Sequence, residues 1–591
     1  MAEEKTRESI EDKYKWRLED IYATDEAWEA DYKKLSDDMA DLEKYRDTMT
    51  GSATGLADAL DAFDEAGLIL ERLYVYARMH RDEDNGNSKY QALSDRAIGL
   101  SVKLSSAISY VDPLLLSLPD ETLEGYMREE KRLAPHCFML RELLRGKKHI
   151  LSEKEERLMS LMGDFSDGAQ TIFTMLNNAD LRFGTVEHDG KELPLTHGTY
   201  ITLMESPDRE LRQKVYEKYY EPFKEHINTI TAAYSTNVKK DVFYARARGY
   251  DSALEKSLFA DNVPVRIYDG LIDEIHKNLP IMYKYVDLRG KVLGIKDQHM
   301  YDIYTPLVKD VKCDYSYEES VAIVEDALSV LGDDYTATLR EAFKTGWVDV
   351  YETKGKTSGA YSWGVYGTHP YVLLNHRGNL DSVFTIAHEM GHAMHTYYSN
   401  ESQPYALSGY VIFVAEVAST VNEILLTKHL LKTAKDDNIK KYVLNHFIDQ
   451  FRTTVLRQTM FAEFEKKAHA MCEADEPLTS ESLNKVYGDL NALYYGDGIA
   501  KDDTICYEWA RIPHFYNAFY VYKYATGFSS AAAIVNGLDK PGNLEKYRNF
   551  LRSGGSDHPI PLLEAAGVDF AHAVGDCMKE FDKAIEQFKA L

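Results

Sequence analysis

The stretch of sequence that decides the fold prediction is residues 379–398, which read NLDSVFTIAHEMGHAMHTYY. Apolar residues recur in it at steps of three and four, the pattern of an amphipathic helix with one buried side. These residues are Val383, Ile386, Ala387, Met390, Met394 and Tyr397. Asn379 or Asp381 can cap the helix by accepting hydrogen bonds from its first backbone N–H groups. The sequence therefore predicts a helix from this cap to about Tyr398.

Two histidines on this helix form a candidate metal site. His388 and His392 are four residues apart, so both imidazoles lie on one helical face and can reach one ion. Catalytic zinc sites use such nitrogen ligands tetrahedrally and keep one position open for water. Glu389 follows the first histidine directly and can take a proton from that water as a general base. The pattern alone is also compatible with a helix that exposes two histidines and a solvated glutamate.

The next helix offers a third ligand. Residues 410–421 are apolar almost all round, which predicts a buried helix, and Glu416 lies inside this run. A buried carboxylate without a partner is costly, and coordination of a metal removes that cost. The interval between His392 and Glu416 leaves room for a loop and a returning helix. The sequence therefore predicts one zinc ion per chain, bound by His388, His392 and Glu416.

Two neighbouring residues could support these ligands. Glu423 lies two helical turns beyond Glu416 on the same face, where it could accept a hydrogen bond from a ligand imidazole. The alternative for Glu423 is a simple surface glutamate. His395 shares the helical face of the two ligands but lies a turn further on, so we expect it to pack or to support rather than to bind the ion.

Composition sets the broad class of the protein. The 591 residues include 69 Lys and Arg against 96 Asp and Glu, a formal net charge of −27. Binding to nucleic acid or to an anionic membrane needs clustered basic residues, so neither partner is expected. Hydrophobic residues make up 44% and charged residues 28%, as in ordinary globular proteins, and the length predicts two or more lobes.

The same survey predicts a cytoplasmic protein. Residues 1–8 carry charges of both signs with no apolar segment after them, so no secretory signal is expected. No apolar stretch is long enough to span a bilayer. The cysteines are odd in number and scattered, which fits a reducing compartment better than a disulfide framework. They are Cys137, Cys313, Cys472, Cys506 and Cys577.

Most of the remaining chain shows helical periodicity, with two β signals. Residues 181–186 and 192–195 flank an Asp-Gly pair that predicts a hairpin. Residues 370–375 predict a short strand after a Gly-rich stretch, which is either one wall of a cleft or an ordinary surface hairpin. If it lines a cleft, this strand could offer its edge to a peptide backbone. Ser206, Pro207 and Asp208 predict a helix start with Ser206 as its cap, and the domain boundary is placed near residue 200.

The motif resembles a known family. Residues 388–395, HEMGHAMH, followed by residues 413–423, FVAEVASTVNE, resemble the thimet oligopeptidase superfamily and, more closely, oligoendopeptidase F. This resemblance implies a mainly α, two-lobed, neurolysin-like zincin with a deep substrate channel and a small β element beside the active site. It further implies an N-terminal helical domain over residues 1–200, a catalytic domain over residues 201–591, and cleavage of internal bonds in short unfolded peptides with one zinc. One departure is Ala418, where relatives carry Pro.

A tyrosine-rich segment, residues 512–527 (IPHFYNAFYVYKYATG), also resembles the family. In relatives, a histidine and a tyrosine here line the substrate subsites and donate hydrogen bonds to the tetrahedral oxyanion. His514 is the only histidine in the segment, and Tyr520 or Tyr522 is the favoured tyrosine, although Tyr516 and Tyr524 compete. The alternative is an aromatic stripe on a helix, because residues 516, 520 and 524 would share one helical face.

Two other functions fit parts of the pattern. One is a different gluzincin exopeptidase, such as an aminopeptidase, although the chain has no Gly-x-Met-Glu-Asn stretch to capture a peptide amino terminus. An N-terminally blocked peptide would separate the two, since an aminopeptidase fails to cut it. The other is a non-catalytic helical scaffold, which has no use for a general base at Glu389.

Overall fold

The computed structural model describes residues 5–308 and 314–591, so Cys313 and the first four residues lie outside the described chain. Helices dominate the described residues, which confirms the predicted mainly α class. The α-helices are α1 (Asp25–Leu42), α2 (Ala53–Glu83), α3 (Ser88–Ala107), α4 (Val111–Ser117), α5 (Asp120–Glu129), α6 (Cys137–Gly146), α7 (Glu153–Ser166), α8 (Gly168–Met175), α9 (His197–Met204), α10 (Arg209–Glu225), α11 (Ile227–Ala247), α12 (Ala253–Phe259), α13 (Val265–Leu293), α14 (Tyr317–Leu328), α15 (Asp333–Ala342), α16 (Leu380–Ser402), α17 (Tyr405–Ser408), α18 (Ile412–Thr433), α19 (Asp437–Gln450), α20 (Arg457–Glu473), α21 (Ser480–Tyr495), α22 (Tyr522–Gly537), α23 (Asn543–Arg552), α24 (Pro559–Ala565) and α25 (Ala573–Ala590).

Two small sheets accompany the helices. Strands β1 (Thr185–His188) and β2 (Lys191–Pro194) pair antiparallel, which confirms the predicted hairpin. Its turn residues Asp189 and Gly190 both have positive φ, at 51° and 72°, as a two-residue turn of this hand requires. The second sheet contains β3 (Val348–Asp349), β4 (Tyr361–Trp363) and β5 (Tyr371–Leu373) in the order β3-β5-β4.

The pairing of β5 corrects the expectation that this strand could offer its edge to a peptide. The predicted strand at residues 370–375 is present as β5, but it pairs in parallel with β3 and antiparallel with β4. Both of its edges are therefore occupied, and β5 cannot offer an edge to a peptide. Strand β4 lies at the border of the sheet instead.

The start of α10 corrects the prediction that Ser206 caps this helix. Asp208, rather than Ser206, caps this helix, and Pro207 precedes the cap. Asp208 Oδ1 accepts hydrogen bonds from the backbone N–H groups of Glu210, at 2.8 Å, and Leu211, at 3.2 Å. A carboxylate satisfies two free N–H groups there, and its charge is favourable at a helix N-terminus.

The chain forms two compact units, which confirms the expectation of more than one lobe. Unit 1 contains Met1–Lys148, Lys312–His429 and Ile534–Gly567, and unit 2 contains His149–Val311, Leu430–Ala533 and Val568–Leu591. Each unit draws on segments that are distant in sequence. The predicted domain boundary at residue 200 divides the sequence into two continuous parts, whereas each compact unit combines several segments. That boundary stays a prediction.

The core of unit 1 joins its N-terminal helices to the second sheet. Trp28 of α1 and Leu73 of α2 belong to the same buried cluster as Tyr371 and Leu373 of β5. A buried lysine, Lys356, fixes the loop between β3 and β4. Its Nζ lies 2.7 Å from a carboxylate oxygen of Asp349 and donates to the backbone carbonyl of Leu374. A buried charge needs such partners, so these contacts hold the sheet in place.

Unit 2 has an aromatic core. The ring of Phe464 on α20 lies 6.0 Å from Tyr234, 5.0 Å from Phe515 and 6.3 Å from Trp509, measured between centroids. Buried aromatic side chains remove large apolar areas from water. Much of the tyrosine content of the chain serves this packing, as the buried Tyr200, Tyr220, Tyr234, Tyr268, Tyr285, Tyr487 and Tyr494 show.

Candidate metal centre

Helix α16 carries the first two candidate ligands and forms as the sequence predicts. Asn379 is its cap, with Oδ1 accepting the backbone N–H of Ser382 at 2.9 Å. The helix continues to Ser402, one turn beyond the predicted end. Its predicted apolar side is buried at all positions up to Met394, which fixes the opposite face, with His388 and His392, relative to the core. Tyr397, the last of the series, is only partly buried.

A glycine brings α18 unusually close to α16. A Cβ atom at Gly391 would lie 2.5 Å from Cα of Ser419 on α18, so only glycine fits this contact. Asn422 of α18 donates a hydrogen bond from Nδ2 to the carbonyl oxygen of Ala387 at 3.0 Å. Neither residue was singled out from the sequence, although a glycine inside a helix is itself a signal of close packing. These two contacts place the third candidate ligand, Glu416, beside the two histidines.

The three candidate ligand atoms lie at the corners of a small triangle. Nε2 of His388 and Nε2 of His392 are 3.2 Å apart, and Oε2 of Glu416 is 3.5 Å from the first and 3.4 Å from the second. Ligand atoms of a tetrahedral zinc ion with bonds of about 2.0–2.1 Å are about 3.3–3.4 Å apart. The His388, His392 and Glu416 group therefore fits one ion of this size, with a fourth position left over.

A further carboxylate orients the first ligand. Nδ1 of His388 donates a hydrogen bond to Glu423, whose side chain is only 15% exposed. This confirms the predicted hydrogen bond between Glu423 and the imidazole of a candidate ligand, and it leaves Nε2 of His388 free to bind a cation. Burial lowers the pKa of His388, but the bond to Glu423 raises it more, to about 9. The surrounding carboxylates therefore favour a positive charge at this place.

The environment of Glu416 differs from the expectation. Its side chain is 46% exposed, whereas its neighbours Val417 and Ala418 are buried. The premise of a buried carboxylate was therefore wrong, because Glu416 points toward the histidines rather than into the core. Burial raises the pKa of Glu416, but the neighbouring His392 and His388 lower it by a larger amount, so that the pKa falls to about 2. Its place beside two imidazoles, not its burial, supports a ligand role.

Glu389 and His395 occupy distinct environments on α16. Glu389 is 7% exposed, and burial raises the pKa of its carboxyl group. A carboxylate with a raised pKa is a better proton acceptor near neutral pH. His395 is 1% exposed and its ring stacks on Tyr410 with centroids 3.9 Å apart. Burial lowers the pKa of His395 to about 3, so this histidine is a neutral packing residue.

The tyrosine-rich segment lies in unit 2 and is largely non-helical. His514 lies in a 3-10 turn, Pro513–Tyr516, and α22 begins only at Tyr522. The alternative of an aromatic stripe along one helix is therefore wrong, since Tyr516 and Tyr520 lie before the helix. The ring of Tyr520 is 6.3 Å from His514 and 5.5 Å from Tyr524.

Exposure separates the competing tyrosines. Tyr522 is completely buried, and its ring lies 5.0 Å from Tyr268. Tyr516 is 5% exposed. Tyr520 and Tyr524 are partly exposed, and His514 is exposed. A side chain that touches substrate must be accessible, so these environments favour Tyr520 over Tyr522 as the oxyanion donor, and the assignment stays a prediction.

Comparison with known proteins identifies the family. Residues 202–579 match peptidase family M3, and residues 115–183 match oligopeptidase F. The chain belongs to peptidase family M3. Oligopeptidase PepF of Bacillus subtilis is 42% identical to it, over 100% of this chain and 90% of that protein.

Two solved structures share the fold. Oligoendopeptidase-F from Enterococcus faecium is 35% identical with a TM-score of 0.74, over 96% of this chain and 99% of that one. A protein from Chlamydophila abortus is 34% identical with a TM-score of 0.94 over the full length of both chains. These matches confirm the resemblance to oligoendopeptidase F. No helix among the described residues is both long and apolar enough to cross a membrane.

Proposed function

We propose that this peptidase is a zinc-dependent oligoendopeptidase that hydrolyses internal bonds of short unfolded peptides. Zinc would be held by His388, His392 and Glu416, one ion per chain. The observation that carries the proposal is the triangle of ligand atoms, with sides of 3.2, 3.4 and 3.5 Å, next to a buried Glu389. Membership of peptidase family M3 supports the same chemistry.

The bound zinc would supply Lewis acidity, acidifying a water molecule and polarising the scissile carbonyl. Glu389 accepts the proton of the attacking water at its carboxylate and delivers it to the leaving amine nitrogen. Its raised pKa suits both halves of this transfer, because the group must first gain and then lose a proton. Glu423 holds the His388 imidazole in the orientation that keeps Nε2 available.

The oxyanion needs hydrogen-bond donors, which we assign to the tyrosine-rich segment. The phenol O–H of Tyr520 and the imidazole of His514 would donate to the carbonyl oxygen as negative charge develops on it. Donors that strengthen only in the transition state accelerate the reaction rather than the binding. Partial exposure of Tyr520 supports this choice, and the buried Tyr522 would serve as packing.

The peptide backbone would bind to the outer edge of β4, residues Tyr361–Trp363. Among the described strands, β4 pairs with β5 alone. Added-strand binding uses main-chain hydrogen bonds, which give affinity for extended chains with little dependence on sequence. Folded proteins lack a free extended segment and would be spared. Cytoplasmic location and a deep substrate channel stay predictions from the sequence and the resemblance.

Mass-spectrometric digestion of a peptide length series tests the proposal. Wild-type enzyme should cut internal bonds of short peptides, including N-terminally blocked ones, and should leave native globular proteins intact. Removal of single terminal residues only, with no cleavage of blocked peptides, would show an exopeptidase instead. Glu416→Ala should abolish stoichiometric zinc in elemental analysis, and unchanged zinc binding would identify a different third ligand.

A further inference from the structure

One residue beside the proposed oxyanion donor has an uncommon backbone conformation. Phe519 directly precedes Tyr520 and has φ of +60°, in the left-handed region. Side chains with a Cβ rarely adopt this conformation, and bulky aromatic residues do so least of all. Such a residue persists only where its surroundings fix it, and strained residues of this kind concentrate at functional sites.

A buried carboxyl group fixes this backbone. Oε1 of Glu465, on α20, accepts the backbone N–H of Phe519 at 3.1 Å. Glu465 is completely buried. On the other side of the same turn, the hydroxyl of Ser257 donates to the carbonyl oxygen of Ala518 at 3.3 Å. Two separate elements, α20 and α12, therefore bind the N–H and the carbonyl oxygen of one peptide group, the one between Ala518 and Phe519.

Packing holds the side chain of Phe519 as firmly. It is 1% exposed, and its ring lies 4.5 Å from the ring of His469 and 6.0 Å from that of Tyr268. The residue is thus anchored at both its backbone and its ring. Beyond it, the carbonyl oxygen of Tyr520 accepts the N–H of Lys523 as α22 begins. Tyr520 lies between these two fixed points.

Apart from the bond to Phe519, no contact among the described residues explains why the carboxyl group of Glu465 is buried. Its Oε2 is buried and has no hydrogen-bond partner in the part of the chain that the structure describes. Burial raises the pKa of its carboxyl group well above the usual range. A polar group in this position costs free energy that an apolar side chain of similar size would avoid. The bond to Phe519 offsets part of that cost.

We infer that Glu465 is a positioning residue for catalysis: it holds Phe519 in the left-handed conformation and so sets the direction of the Tyr520 phenol. The inference rests on the proposed role of Tyr520 as oxyanion donor. Glu465 itself touches neither substrate nor metal in this scheme. Its loss should therefore lower kcat and leave KM and zinc content unchanged, because only the transition state uses the donor.

A matched pair of substitutions tests the positioning role of Glu465. Glu465→Gln keeps an acceptor at the same reach and should retain most of kcat. Glu465→Asp withdraws the acceptor by one methylene and should lower kcat about ten- to a hundredfold, the size expected for a misplacement of about 1 Å. Equal kcat for the two variants would overturn the inference. If Glu465→Asp does not fold, Ser257→Ala loosens the same turn from α12, and an unchanged kcat there would also overturn it.

A double-mutant cycle identifies the residue through which Glu465 acts. If it acts through Tyr520, the kcat of Glu465→Asp combined with Tyr520→Phe should match that of Tyr520→Phe alone within about twofold. Fully multiplying losses would overturn the inference. So would wild-type kcat in Tyr520→Phe, but that result would leave the peptidase proposal standing, since the latter depends on Glu389 and the metal ligands.

Discussion

The two groups of candidate catalytic side chains are held in opposite ways. His388, Glu389 and His392 lie on one continuous helix, α16, and neighbouring α18 is fixed to it by backbone contact at Gly391. His514 and Tyr520, in contrast, lie on a 3-10 turn and on irregular backbone that includes the left-handed Phe519. The first group depends on helix geometry and the second on a few hydrogen bonds.

This difference separates two kinds of defect. The candidate ligand atoms lie within 3.5 Å of one another and come from both α16 and α18. An ion can therefore bind only while these two helices keep their relative position. Substitutions in the α16–α18 pair should therefore change metal content, turnover or both. Substitutions in the tyrosine-rich segment should change turnover alone, because no candidate ligand lies there.

The largest expected effect is that of Glu389→Gln. The amide fills the same space but cannot accept the proton of the attacking water, so kcat should fall about 10²- to 10⁴-fold. Zinc content, measured by elemental analysis, should stay at that of the wild type. Glu401→Gln, on the same helix but exposed, makes the same chemical change and should be neutral. Wild-type turnover in Glu389→Gln would remove it from the role of base.

The tyrosine-rich segment gives the next largest effect. Tyr520→Phe removes one oxyanion donor and should lower kcat about 10²-fold with zinc content unchanged. Tyr522→Phe is the matched control, since its ring is fully buried two residues away. It should keep kcat and change stability only slightly. Steady-state kinetics on one blocked peptide decides between them, and a larger loss in Tyr522→Phe would reverse the assignment.

The same contrast explains what could be predicted from sequence. On α16, a spacing of four residues fixes a geometry, so the amino-acid sequence was enough to pair His388 with His392. Glu423 was found in the same way, two turns beyond Glu416. Tyr520 could not be ranked, because residue spacing carries no geometric meaning where the chain leaves the helix. A left-handed aromatic residue such as Phe519 has no sequence signature.

Contacts between segments that are distant in sequence could not be predicted either. Sequence patterning located β5 but not its partners, so the wrong strand was expected to present an edge. The exposure of Glu416 depends on how α18 is rotated against α16, which follows from the Gly391 contact rather than from the apolar run around Glu416. Both errors concern packing between elements, not the elements themselves.

Gly391→Ala tests that packing directly. The new methyl group would lie 2.5 Å from Cα of Ser419, so α18 must move and carry Glu416 away from the histidines. We expect lower zinc affinity and a fall of about 1–3 kcal/mol in the free energy of unfolding. Gly270→Ala, in α13 with nothing within 4 Å of the new atom, is the control and should be slightly stabilising. Unchanged zinc affinity in Gly391→Ala would show that α18 tolerates the displacement.

Glu423→Gln should have the smallest effect, and it separates charge from orientation at the metal centre. The Gln carbonyl oxygen can still accept the Nδ1–H of His388, so the imidazole keeps its tautomer and direction. What is lost is the negative charge that makes the imidazole a stronger ligand, and changes of this kind cost about 10- to 100-fold in metal affinity. We expect the lower end of that range in a competitive chelator titration, with kcat of the zinc-saturated enzyme close to that of the wild type. Glu341→Gln on α15, an exposed site in the same unit, controls for the change in net charge. A loss in Glu423→Gln as large as that in Glu423→Ala would mean that charge, rather than orientation of the ring, is the main contribution of Glu423.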